Sequence, residues 1–279
     1  MIKKNLPFLA LVVLSLVSQT VNAQQYVFDK KIPVPGDGGY DYLAIDEVNR
    51  HLFVSHGTAF NVVDLATEKP IAVIDGLKGV HGIAIVNEVN KGFISDGKAD
   101  AVVVIDLTTF KVITTIKLPA TDEDAIIYDP YSKKVFVFNG AVKATYPLSP
   151  CGQPTGLAFD AASHRLFTGC RTNKGLSVVD AKDGKVITTL PIGAGVDAVV
   201  YDADDKLIFV SNGDATATII RQESADKYSV VQTLATAPRA RTMTMDKKTK
   251  KIYFSAPEFQ PGTRNIIPGT FAVLVYKPQ

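Results

Sequence analysis

Along most of this chain, apolar and polar residues alternate in short runs that stop at turn residues, and no stretch sustains a helical period. One run recurs six times: Phe53-Val54-Ser55-His56-Gly57, Phe93-Ile94-Ser95-Asp96-Gly97, Phe136-Val137-Phe138-Asn139-Gly140, Phe167-Thr168-Gly169-Cys170-Arg171, Phe209-Val210-Ser211-Asn212-Gly213 and Tyr253-Phe254-Ser255-Ala256-Pro257. Successive copies lie 40, 43, 31, 42 and 44 residues apart. A period near forty, carried on short β-type segments, predicts an all-β propeller.

Each complete unit has four apolar segments separated by turns. In the second unit they cover residues 81–86, 91–96, 101–106 and 111–118, and the Asp183-Gly184 pair marks the matching hairpin of the fourth unit. These read as blades of four antiparallel strands. In the first strand of each, large residues alternate with small ones, as in Ile83 and Ile85 against Gly82 and Ala84, or Leu157 and Phe159 against Gly156 and Ala158. Successive side chains face opposite ways, so the large face of one blade can enter the small face of the next.

Two irregularities shape the ring. The last unit has three segments, over 241–246, 251–255 and 271–276, while residues 26–34 form an extended segment with no partner of its own. Pairing the two completes the last blade and removes two open sheet edges. The interval of 31 residues marks a defect, because 142–148 resembles a fourth strand and nothing before it matches 102–106. The third blade is therefore expected to be three-stranded, or its gap covered by a neighbour. Six blades is the expected count, with seven imperfect ones the alternative.

The first residues stand apart from this pattern. Lys3 and Lys4, an apolar run from Leu6 to Val17, and Val21-Asn22-Ala23 form an export signal over 1–23, leaving one domain over 24–279. A periplasmic or secreted monomer with no membrane span is expected. Losing Lys3 and Lys4 turns 30 basic residues against 28 acidic into an even balance. That argues against a surface built to grip phosphate backbones, and the run around Lys247-Lys248 and Lys250-Lys251 reads as a solvated turn. Cys151 and Cys170 are the whole cysteine complement. They can form one disulfide across the entrance of the fourth blade or remain two thiols.

Aligning the repeats collects the scattered polar residues. Asp41, His81, Asp124, Thr155, Asp197 and Arg241 take equivalent positions at the start of the first strands, and His56, Asp96, Asn139, Cys170 and Asn212 end the second strands. By propeller geometry both sets lie on one face near the central channel. Asp41, His56, His81, Asp124, Thr155, Asp197 and Arg241 are the candidate ligand-binding ring, suited to a divalent cation or a polar ligand. The competing reading makes them strand ends that satisfy open backbone groups. His51 and His164 fall in turns on the opposite face, and the acidic stretch from Asp202 to Asp205 lacks the glycine and terminal Glu of a calcium loop. No nucleophile elbow, zinc-protease helix, haem attachment or phosphate loop is present, and the repeated Ser55, Ser95 and Ser211 read as structural.

The strand phrases, the Val-Val-Asp…Gly-Lys-Val hairpins, and the stretches Gly38-Gly39-Tyr40-Asp41-Tyr42-Leu43, Gly79-Val80-His81-Gly82-Ile83-Ala84, Pro147-Leu148-Ser149-Pro150-Cys151 and Gly195-Val196-Asp197-Ala198 resemble the YVTN-repeat, YncE-like family of exported β-propellers. The absence of Trp argues against a WD-type repeat. The resemblance implies an exported binding protein, commonly seven-bladed, with DNA affinity in one branch. Here the even charge does not support nucleic acid as partner. The expectation is a non-catalytic binding or scaffold propeller for an unnamed small molecule or protein, with no cofactor named. The alternative is a lactonase-like hydrolase or an oxidoreductase component using His81 or an adjacent Asp as general base.

Overall fold

β-branched and aromatic residues fill the alternating runs, and they pair into six antiparallel sheets among the residues described by the computed structural model, 24–119, 124–130, 132–138 and 148–279. β1 (Tyr26–Pro33) precedes blade one, which is β2 (Leu43–Asp46), β3 (His51–His56), β4 (Ala59–Asp64) and β5 (Lys69–Ile74). Blade two is β6 (Val80–Val86), β7 (Lys91–Asp96), β8 (Ala101–Asp106) and β9 (Val112–Lys117). In blade three, β10 (Ile126–Asp129) and β11 (Lys134–Val137) are the strands among the described residues. Blade four is β12 (Pro154–Asp160), β13 (Arg165–Cys170), β14 (Gly175–Asp180) and β15 (Val186–Pro191). Blade five is β16 (Val199–Asp202), β17 (Leu207–Asn212), β18 (Asp214–Ser224) and β19 (Lys227–Pro238). Blade six holds β20 (Met243–Met245), β21 (Ile252–Ser255) and β22 (Ala272–Pro278).

The fourth strand of blade six is β1, antiparallel to β22, with Tyr26 opposite Pro278 and Pro33 opposite Ala272. The unpartnered pattern at 26–34 thus completes the last blade. The expected signal over 1–23, and all of the 142–148 segment except Leu148, lie outside the described residues.

The repeat is written into the turns as well as the strands. Asp46, Asp129, Asp160 and Asp202 end first strands and Asp246 directly follows one, and each accepts a backbone N–H two or three residues on. The chain then passes through a left-handed residue: Arg50, Asn90, Lys133, His164, Lys206 or Lys250. These six positions reproduce the intervals 40, 43, 31, 42 and 44. Several also tie neighbouring blades together. Arg50 of blade one pairs with buried Asp246 of blade six. The Lys250 ammonium of blade six lies 2.9 Å from both Asp202 and Asp204 of blade five. The acidic stretch at 202–205 is therefore an ordinary turn neutralised by a lysine. Burial opposes the Lys250 charge, but these carboxylates hold its pKa well above the usual ammonium range. Lys251 likewise pairs with Glu68 and Asp29.

The core follows the large-into-small alternation. Ile83 shares a buried cluster with Phe53 of the preceding blade, Val199 with Phe167, Met243 with Phe209, and Leu43 with Tyr253 of blade six. Each buried large side chain contributes about 1.5–3 kcal/mol. Blade four is the exception. Leu157 is 65% exposed and Phe159 50%, and across from them Ile127, Phe136 and Phe138 of blade three are also exposed. No covering of this gap by a neighbouring blade is found among the described residues, and residues 139–147, where a third strand of blade three would fall, lie outside them. Cys151 and Cys170 form the disulfide, with Cα atoms 5.0 Å apart, tying the loop that enters blade four to the end of β13.

Candidate functional site

The hydroxyl of the repeated phrase builds the entry face. Ser95 Oγ accepts from Gly82 N at 3.0 Å and donates to the Asp124 carbonyl at 2.6 Å, so one buried serine fixes the first strand of its own blade and the entry residue of the next. Ser211 does the same between Ala198 and the carbonyl of Arg241, and Ser55 Oγ accepts from Asp41 N at 2.8 Å. These hydroxyls are committed to backbone groups, which accounts for their recurrence without a nucleophilic role.

What they position is a convergence of three blades. His81 Nδ1 lies 2.7 Å from Asp41 Oδ2 and 3.8 Å from Asp124 Oδ1. One ligand atom from each of Asp41, His81 and Asp124 fits within a 4.8 Å group. Asp41 and His81 are partly buried, at 31% and 30% side-chain exposure, while Asp124 is 61% exposed, so the cluster opens to solvent. Two carboxylates and an imidazole at this spacing suit a divalent cation, or the ammonium of a small ligand. Burial, reinforced by Asp124, Asp41 and Asp197, pushes the Tyr42 phenol up to about 12, leaving it a neutral hydrogen-bond donor beside the cluster at ordinary pH.

The other half of the entry series forms a second centre. Asp197 pairs with Arg171 and, at 3.2 Å, with Arg241 Nε, while Thr155 Oγ1 donates to it at 3.4 Å. Gly156, at φ +65°, permits this approach, since a Cβ there would lie 2.6 Å from the Asp197 carbonyl. The expected single ring is thus two groups, an acidic one from blades one to three and a guanidinium-rich one from blades four to six.

The ends of the second strands serve the fold. His56 is buried, stacked on Phe271 with ring centroids 4.2 Å apart, and is not a member of the Asp41–His81–Asp124 group. Burial lowers its pKa, opposed by the Pro35 carbonyl and Asp37, so it is a neutral packing residue. Asp96 accepts from Gly79 N at 2.7 Å, Asn212 bonds Thr216 and Thr218, and Cys170 is in the disulfide. Asn139 lies outside the described residues. On the opposite face His164 is exposed in its turn, whereas His51 is half-buried with its ring edge-on to Phe110 at 5.3 Å. Repeat alignment missed Arg239 and Arg264, which join Arg171, Arg241 and Tyr40 around one cleft. Arg239 stands two residues before Arg241, where the two preceding blades have Gly195 and Gln153, so the position repeats but the residue type does not. Arg264 falls in the long connection of blade six, between β21 and β22.

No protein-family model matches the chain, and no curated protein matches it. Solved structures do. The WD40 repeats of RRP9 superpose with a TM-score of 0.68 at 7% identity, covering 90% of this chain and 97% of that one. A chain of a mitotic checkpoint complex matches at a TM-score of 0.52 and 11% identity, covering 99% and 97%. The fold is a β-propeller. At such identity the likeness extends to the architecture alone, and the propeller's chemistry must be read from its own residues. Among the described residues of this propeller, no helix is long and apolar enough to cross a membrane.

Proposed function

We propose that the chain is an exported, YncE-like binding propeller of 24–279, acting as a monomer without catalysis of its own, and that it holds its ligand on the channel face. The observation that carries this reading is the meeting of Asp41, His81 and Asp124, from three blades, within 4.8 Å. Propeller geometry brings the entry positions to one face, but ligand atoms as close as these are more than the satisfaction of backbone groups requires. The Cys151–Cys170 bridge fits an oxidising compartment such as the periplasm or the extracellular space. The ligand class that suits the cluster is a divalent cation or a cationic amine.

Calorimetric titration with Mn²⁺ and Zn²⁺, and native mass spectrometry of freshly purified protein, test the reading. Asp41→Asn with His81→Ala should abolish binding and leave thermal unfolding nearly unchanged. Unfolding of that variant at ordinary temperature, with no ligand in the parent, would return these residues to a structural role. The Asp41–His81 contact at 2.7 Å favours a second reading, in which the aspartate orients His81 as a general base for a lactonase-like hydrolysis. That reading requires lactone turnover that disappears with His81→Ala.

A further inference from the structure

The guanidinium-rich half of the channel face encloses a cleft of about 680 Å³, within the size range of small-ligand sites. Four arginines reach it. Arg171 and Arg241 share the single carboxylate of Asp197. Arg239 and Arg264 have no ion-pair partner among the described residues. The other acid at the rim, Asp214, is occupied elsewhere: it accepts from Ala194 N at 2.6 Å and from Thr216 Oγ1 at 2.7 Å. Cations therefore outnumber acids here, in a domain whose mature charge is even.

The guanidinium groups are also oriented. Arg239 lies over the Phe259 ring at 4.8 Å and Arg241 near the Tyr40 ring at 6.0 Å, so aromatic faces support them. The Tyr40 hydroxyl donates to the Arg239 carbonyl at 2.6 Å. That backbone is left-handed, at φ +62°, as it is at Gly195 and Gln153, which hold the same place in the two preceding blades. A non-glycine residue kept in this conformation beside a cleft is a local cost that the surrounding contacts sustain. Gly195 and Gly213 line the cleft without side chains to fill it, Gly213 N donating to the Gly195 carbonyl at 3.0 Å.

We propose that this cleft binds a small oxyanion carrying two or more charges, a phosphate ester or a polycarboxylate. Planar guanidinium forks match the paired oxygens of either group, and two of the four lack an internal counter-charge. The cleft is lined by none of Asp41, His81 and Asp124.

Isothermal titration of the mature protein with pyrophosphate and, separately, citrate at low ionic strength tests it. Binding of at least one, at about 1 mM or tighter and weakening with added NaCl, is expected. The preferred probe distinguishes a phosphate from a carboxylate ligand. Arg239→Gln with Arg264→Gln should weaken binding about tenfold or more. Arg239→Lys should also weaken it, because charge remains but the fork is lost. If the double variant unfolds, Arg264→Gln alone carries the test, since this exposed residue has no ion pair to lose. Failure of both probes to bind the parent protein, or equal affinity in the glutamine variants, would overturn the proposal.

Discussion

The ion pair joining the first and last blades offers the sharpest test of how this propeller is held. Asp246 has no solvent exposure, and Arg50 meets it with both guanidinium nitrogens, one of them at 2.9 Å. Lys248 N adds a bond at 3.0 Å. Were this an exposed pair, its loss would cost about 0–1 kcal/mol. Removing one partner of a buried pair costs about 3–5 kcal/mol, because the remaining charge is left without compensation. Arg50→Ala is accordingly expected to destabilise by about 3–5 kcal/mol, a fall in Tm of roughly 10 °C for a domain of this size. Asp246→Asn should cost less, since the arginine it leaves is partly exposed and retains Glu47 at 3.0 Å. Urea unfolding of both variants and of the double variant measures the coupling directly. The pH dependence supplies a second reading. Burial raises the Asp246 pKa, but Arg50, Thr249 and Lys248 outweigh it and hold the carboxyl below its ordinary value of 3.8. A depressed folded-state value stabilises the protein above pH 3.8 and ceases to do so as pH falls through the lower folded value. Asp246→Asn should flatten that part of the acid limb. A cost below about 1 kcal/mol for Arg50→Ala, with an unchanged acid limb in Asp246→Asn, would show that the blades are held by packing alone.

Four further outcomes are expected. Replacing Cys151 and Cys170 by serine opens a loop of sequence separation 19 and should lower stability by about 3 kcal/mol in denaturant titrations. Phe167→Ala, at a fully buried site, should cost about 3–5 kcal/mol. Phe159→Ser at the exposed blade three–blade four seam should change stability by no more than about 0.5 kcal/mol, and comparable costs would mean that the seam is packed in solution. Ser95→Ala should destabilise by about 1–3 kcal/mol and also weaken cation binding, because the Asp124 carbonyl loses its anchor. Unaltered binding would separate Ser95 from the site.

The blade pattern was legible because a strand's two-residue period and a blade's near-forty period are both local to the chain. Lys91–Asp96 and Ala101–Asp106 have the bounds that their apolar runs predict. The candidate site was legible only as far as repeat symmetry reached. It selected Asp41, His81 and Asp124 from equivalent positions, and it selected His56 by the same logic. Phe271, from the long connection in blade six, stacks on that imidazole instead, a contact that no periodicity encodes. Arg239 and Arg264 escaped for other reasons. Arg264 lies in the long connection of blade six, and Arg239 holds a repeat position where earlier blades have Gly195 and Gln153, so only the folded chain marks both beside Arg171. Leu157 and Phe159 are exposed in the blade that follows the 31-residue interval. Their alternation states which face is apolar, and the neighbouring blade decides whether that face is covered.

The pairing of β1 with β22 also sets an order of events. Residue 26 emerges from the ribosome some 250 residues before its partner Pro278, so the first strand made is among the last to gain its hydrogen bonds. Contacts of such sequence separation form late, after local hairpins have condensed. A chain arrested before residue 272 would have several blades formed yet still present an open strand at its leading end. Maturation of this protein is in that sense timed by its own last strand, and pulse proteolysis of arrested chains should find 26–33 cleavable until Ala272–Pro278 has been delivered.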